Sequence, residues 1–138
     1  MPTSTTLDHV TIVTDDFEAS RGVYDCLLGA LGLHPDLDFD DPEADAADTG
    51  TVAAVGYCGP GGQVLMLLVS GEHGTGGAHF ALATADRAVV DAVHTAALTD
   101  GISVVQPPRE WESDQLGYYG AQFGDGAGNV VEVLYRHR

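Results

Sequence analysis

The sequence predicts an α+β chain built from two similar halves, each running strand, helix, strand, strand, strand. Three observations carry this reading. Sliding the chain on itself by 70 residues lays HVTIVTDDFEASRGVYDCLL, starting at His9, on HFALATADRAVVDAVHTAAL, starting at His79. Sliding it by 66 lays Tyr57 and residues 62–69 (GQVLMLLV) on Phe123 and residues 128–135 (GNVVEVLY). In both copies a stretch with an apolar helical stripe lies between the matched strands.

Each element has a local reason. The copies open with a short apolar run and pass through a Thr-x-Asp turn, Thr14/Asp16 in one and Thr84/Asp86 in the other. In the first helix Phe17, Tyr24, Leu27, Leu28 and Leu31 recur at three- and four-residue steps, giving one apolar stripe. Asp15 followed by Glu18 reads as a capping box, and Gly32 as the stop. Gly22 lies inside this helix and costs it about 1 kcal/mol relative to alanine. In the second helix Val90, Val93, Ala97 and Leu98 form the stripe and Gly101 ends it. The strands after each helix meet at Gly-rich turns. The expected organisation is one domain, 1–138, with module one at about 6–70 and module two at about 77–136, joined through SGEHGTGG. His9 and Met66 stand 57 residues apart, and His79 and Glu132 stand 53 apart. The extra length falls where the acidic segment 36–50 lies. Asp36, Asp38 and Asp40 have calcium-loop spacing, but Asp41 replaces the needed glycine and Ala47 the closing glutamate, so a solvated loop is expected.

Composition narrows the partners. Twenty-one acids face five arginines with no lysine, a net charge of −16, which opposes binding to nucleic acid or an anionic membrane. The N-terminus shows no signal-peptide pattern and no apolar run is long enough to span a bilayer, so a cytoplasmic protein is expected. Cys26 and Cys58 are too few for a disulfide framework and read as reduced, part-buried thiols.

The repeat also pairs positions. His9 and His79 begin the first strand of each half, and Met66 and Glu132 occupy matched places in the last. If the halves are related by a twofold, the four positions converge. Two imidazoles and a carboxylate suit a divalent first-row ion, Fe(II), Mn(II), Co(II), Ni(II) or Zn(II), with coordination positions left for water or substrate. Glu132, inside VVEVLY, shares its strand face with Val130 and Leu134, so it is part-buried and needs a partner. With no lysine in the chain, that partner is a metal or an arginine.

These residues carry a family resemblance. LDHVTIVTDDFEASRGVYDCLLGALG resembles the first module of the vicinal oxygen chelate superfamily, the glyoxalase I, extradiol dioxygenase and bleomycin-resistance-type proteins. AHFALATADRAVVDAVHTAAL and GYYGAQFGDGAGNVVEVLY resemble the second, through His79, an Asp125-x-x-Gly128-Asn129 turn, and Glu132. The resemblance implies two βαβββ modules in an open, cup-shaped mixed sheet (a glyoxalase/dioxygenase-like fold), a homodimer, and a metal held from the positions of His9, Met66, His79 and Glu132. A methionine at the position where glyoxalase I-type enzymes generally have a ligand counts against that activity. The remaining two-histidine-one-carboxylate set favours Fe(II), with Mn, Ni, Co or Zn as the other choices.

The expected function is therefore a metal-dependent enzyme, a dioxygenase, lyase or isomerase, acting on a small molecule chelated through adjacent oxygens. Tyr118 and Tyr119 are the catalytic candidates for moving a proton, since strand alternation turns one of the pair toward the metal. Gln122 and His73 are weaker candidates, and Arg109 and Trp111 are placed to cover the mouth. The alternative is a metal-free binding or drug-sequestering resistance protein, whose acidic cup would suit a cationic ligand.

Overall fold

In the computed structural model, residues 4–41, 52–72, 77–112 and 117–136 are described. The order is β1 (Val10–Thr14), α1 (Phe17–Ala30), β2 (His34–Asp41), β3 (Val52–Cys58), β4 (Val64–Ser70), β5 (His79–Thr84), α2 (Arg87–Thr99), β6 (Val104–Trp111), β7 (Tyr118–Gly124) and β8 (Val130–Arg136). The α+β reading of two βαβββ units is what forms.

Each unit makes one four-stranded mixed sheet, β1-β4-β3-β2 and β5-β8-β7-β6. First and last strands of a unit pair in parallel, and the other neighbours pair antiparallel. β1 and β5 are thus edge strands. One sheet face packs on the helices. Tyr24, Leu27 and Leu28 of α1 and Val90, Val93 and Ala97 of α2 are fully buried against Ile12, Leu68, Phe123, Val131 and Val133. Three expected stripe members differ in degree: Phe17 and Leu31 are only partly buried, and Leu98 is 60% exposed.

The helix ends repeat the same chemistry. Gly32 (φ 88°) and Gly101 (φ 71°) take the left-handed conformation that glycine adopts without penalty. Leu33 N–H then donates to Leu28 O, and Ile102 N–H to Ala97 O, both at 2.9 Å, satisfying carbonyls the helices leave open. At the other end the cap is Asp16, not Asp15. Its carboxylate accepts from Ala19 N–H at 3.2 Å, as Asp86 accepts from Ala88 N–H at 2.9 Å. The Asp15–Glu18 capping box therefore does not form. Thr14 Oγ1 accepts from Asp16 N–H at 3.0 Å and so turns the chain one residue later.

The acidic segment also departs from expectation. Its first part is β2, paired with β3 from His34↔Cys58 to Asp41↔Val52, and 42–50 lie outside the described residues. A strand across Asp36, Asp38 and Asp40 has no calcium-loop backbone. Both cysteines are free thiols, Cys58 buried and Cys26 half-buried. No described helix is long and apolar enough to cross a membrane.

The modules are tied by one buried network. Asp125, in the β7–β8 turn, accepts from Ala127 N–H (2.7 Å), Asn129 N–H (3.1 Å), Asn129 Nδ2 (2.7 Å) and the Tyr24 hydroxyl (2.7 Å). Asn129 Oδ1 accepts from Ala78 N–H at 2.8 Å, and its amide reaches Val13 O of β1 at 3.5 Å. A Cβ on Gly77 would collide with the Gly128 carbonyl, so the approach to β5 needs glycine there.

Candidate metal centre

Glu132 lies mid-β8, in register with Ala81 of β5 and Gln122 of β7. Its flanking Val131 and Val133 are fully buried among the helices, so alternation turns Glu132 to the opposite, open face. Its side chain is nevertheless only 7% exposed. His79, the first residue of β5, places Nε2 at 3.2 Å from Glu132 Oε1, and Gln122 Nε2 donates to the same oxygen at 3.5 Å. Glu132 Oε2 is buried with no hydrogen-bond partner.

A buried, half-satisfied carboxylate beside an imidazole is costly unless a cation completes it. The expected partner was a metal or an arginine, and no described arginine pairs with Glu132. The orphan Oε2 and the adjacent His79 ring, whose side chain is 54% exposed, thus fit a divalent ion reached from the open face.

His9 sits apart from this pair. It precedes β1 in the other sheet, with Nδ1 at 2.7 Å from Asp8. Among the described residues no group of three His, Cys, Asp or Glu side chains comes together to hold a metal. One chain therefore brings together two of the three expected ligands. His9 instead lines a cavity of about 440 Å³ between the edges of β1 and β5, with Leu65, Phe80 and Leu82 among its apolar walls.

The fourth expected position moves by one residue. β1 pairs with β4 as Thr11↔Leu67, and β5 with β8 as Ala81↔Glu132, so Leu67 is the structural counterpart of Glu132. Met66 is counterpart to Val131 and is fully buried in the core. The cause is a register shift between Tyr57 and Cys58 on the first β3–β4 hairpin, absent from the β7–β8 pairing. One extra residue on a strand reverses the face of every later side chain.

Alternation also separates the tyrosines. Tyr119 faces the helices, where its hydroxyl donates to Asp91 at 2.5 Å and the Arg87 guanidinium lies 4.6 Å from its ring centre. It is on the wrong side of β7 to meet Glu132. Tyr118 shares the Glu132 face, opposite Arg136. Burial raises its phenol above the ordinary 10.0, the nearby Glu132 carboxylate raises it further, and Arg136 and Arg109 pull it back. His73 lies outside the described residues.

Trp111 stacks on Tyr118, ring centres 6.1 Å apart and planes at 14°, and Arg109 lies 3.9 Å from the Trp111 ring centre. Arg136, at 5.4 Å from the Tyr118 ring centre, was not anticipated. Its signal was present: it follows Glu132 and Leu134 on the same parity of β8.

With this geometry in view, the chain matches the model of the Glyoxalase/Bleomycin resistance protein/Dioxygenase superfamily over residues 6–133, and it belongs to that family. Among solved structures, a glyoxalase/bleomycin resistance protein of Albidiferax ferrireducens is 24% identical, with TM-score 0.69 and coverage of 94% of this chain and 98% of its own. A glyoxylase/bleomycin resistance protein/dioxygenase domain of Frankia is 14% identical, with TM-score 0.70, covering 98% and 100%. The fosfomycin resistance protein FosX of Listeria monocytogenes is 13% identical, with TM-score 0.66, covering 95% and 93%. At these identities the similarity establishes the fold. No curated protein matches the chain significantly.

Proposed function

We propose that this chain is a divalent-metal-dependent enzyme of the superfamily, acting on a small molecule that chelates the metal through adjacent oxygens. His79 and Glu132 hold the ion, and His9 of a second copy completes the set in a homodimer. The observation that carries the reading is the buried, partnerless Oε2 of Glu132 beside His79. The third ligand is assigned to a second copy, a reading supported by the lack of a three-residue His/Cys/Asp/Glu group among the described residues.

When bound, such an ion supplies Lewis-acid stabilisation of a developing oxyanion or, if it is iron, a place for dioxygen beside the substrate. The chain's own residues do the rest. Gln122 donates to Glu132 Oε1 and fixes the carboxylate's orientation. Tyr118, its phenol held protonated by burial and by a hydrogen bond toward Glu132, places its O–H beside that carboxylate. It can give a proton to, or hydrogen-bond, an oxygen of the bound substrate. Tyr119 does not take part.

Metal content and turnover should be lost together in His79→Ala and Glu132→Ala, with the fold retained. A protein that binds no divalent ion would instead support the second reading, a metal-free small-molecule binder. That reading is favoured by the apolar cavity beside His9, whose volume of about 440 Å³ is in the range of small-ligand pockets.

A further inference from the structure

We propose that the open face of the second sheet recognises a small planar carboxylate, whose anionic end lies against Arg136 and Arg109 beside the Trp111–Tyr118 stack. The inference deepens the metal-enzyme reading by naming a substrate class, and it rests on that reading for the position of the reacting end.

The charge distribution is the first support. In a chain with 21 acids and five Lys/Arg residues, an arginine without an acid is unexpected. Arg21 pairs with Asp25 at 3.6 Å, and Arg87 pairs with Glu110. Among the described residues Arg109 and Arg136 have no carboxylate partner, and both lie on the same small patch of one sheet face. Glu110, next to Arg109, is drawn to Arg87 instead. Arg136 Nη1 is buried and makes no hydrogen bond, so a donor of a fork suited to carboxylate is left unused.

The second support is the order of groups across the strands. Trp111 of β6, Tyr118 of β7 and Arg136 of β8 stand in one register row, and Gln122 and Glu132 stand in another. The Cα atoms of Glu132 and Arg136 are four residues apart along β8, about 13 Å at 3.3 Å per residue. Between the rows lies Gly120, where a Cβ would meet Val133 O at 3.0 Å, Leu134 Cβ at 3.1 Å and Tyr118 Cδ2 at 3.3 Å. The missing side chain lets the Tyr118 ring lie over that position. The Trp111 indole is anchored by donating to Gly120 O at 3.1 Å. The result is a strip with an aromatic wall, a guanidinium at one end and Glu132 with His79 at the other. The overall charge of −16 repels anions at long range, so an anion that binds does so through these local contacts.

Trp111 is the chain's single tryptophan, so its fluorescence reports this strip alone. The probe is benzoate, compared with the neutral isostere benzamide, each titrated in 150 mM salt into the protein as purified and after chelation. The expected result is saturable quenching by benzoate, with benzamide at least tenfold weaker, in both preparations. Arg136→Gln should weaken benzoate about tenfold with far-UV circular dichroism unchanged. Arg109→Gln, at an exposed position, provides the same test by calorimetry if Arg136→Gln folds poorly. Equal responses to benzoate and benzamide, or wild-type benzoate affinity in both arginine variants, would overturn the proposal. Persistence of the benzoate response after metal removal supports the anion strip independently of the metal. Benzoate binding by a protein that takes up no metal removes only the metal reading.

Discussion

The Tyr24 hydroxyl, on the helix of the first module, donates to the Asp125 carboxylate in the last turn of the second, 101 residues away and 2.7 Å distant. Both groups are buried, and Asp125 uses its remaining capacity on the turn that leads into β8. The bond therefore ties helix packing to the strand that carries Glu132. Tyr24→Phe removes a hydrogen bond to a charged group and should cost about 1–3 kcal/mol in denaturant unfolding.

The same pair gives a pH dependence. Burial, then the bond to Asp125, raises the Tyr24 phenol well above the ordinary 10.0. Below pH 10 both folded and unfolded chains keep this proton, and the contribution is fully present. Above pH 10 the unfolded chain loses the proton first, so stability falls as pH rises toward the folded-state value. Alkaline unfolding curves should show a shallower fall for Tyr24→Phe than for the parent chain.

The one-residue offset between Met66 and Leu67 predicts opposite outcomes for neighbouring substitutions. Met66→Glu places an unpaired charge among fully buried apolar side chains and should unfold the protein or cost it more than about 3 kcal/mol. Leu67→Glu puts the same group on the open face, at the counterpart of Glu132, and should cost no more than about 1 kcal/mol. Thermal unfolding of the two variants decides the register.

Glu132→Gln separates stability from binding. In chelator-treated protein it removes a buried carboxylate whose second oxygen has no partner, so stability should be unchanged or higher by about 1 kcal/mol. In untreated protein metal should be lost. A large loss of stability in the metal-free state would mean that Glu132 is a structural residue.

A homodimer with shared sites makes a further prediction. His9→Ala and His79→Ala should each bind no metal as separate homodimers. Co-expressed, the mixed dimer has one site with both histidines intact and should recover one ion per dimer. Sites built within single chains would recover none. Calorimetric titration of the isolated mixed dimer checks this.

Much of this architecture was legible because the two modules repeat. The Thr-x-Asp turns, the helix stripes and the glycine stops at 32 and 101 occur in both copies, and each has a local physical cause. Glu132 was legible because a carboxylate between two core valines, in a chain without lysine, demands a partner. What was not legible depended on geometry between strands. A register shift at Tyr57/Cys58 leaves no mark in the sequence, so Met66 was set opposite Glu132 where Leu67 belongs. Alternation predicted that one of Tyr118 and Tyr119 would face the site, and only the pairing with β8 shows that it is Tyr118. That His9 does not join His79 and Glu132 in one group among the described residues is a relation between modules, which a repeat does not encode.

The most direct measurement is the metal content of protein purified without chelator, set beside His79→Ala and Glu132→Ala. About one divalent first-row ion per chain in the parent, and none in either folded variant, is the predicted result. No ion in the parent, and no uptake on anaerobic titration with Fe(II), Mn(II), Co(II), Ni(II) or Zn(II), would contradict it.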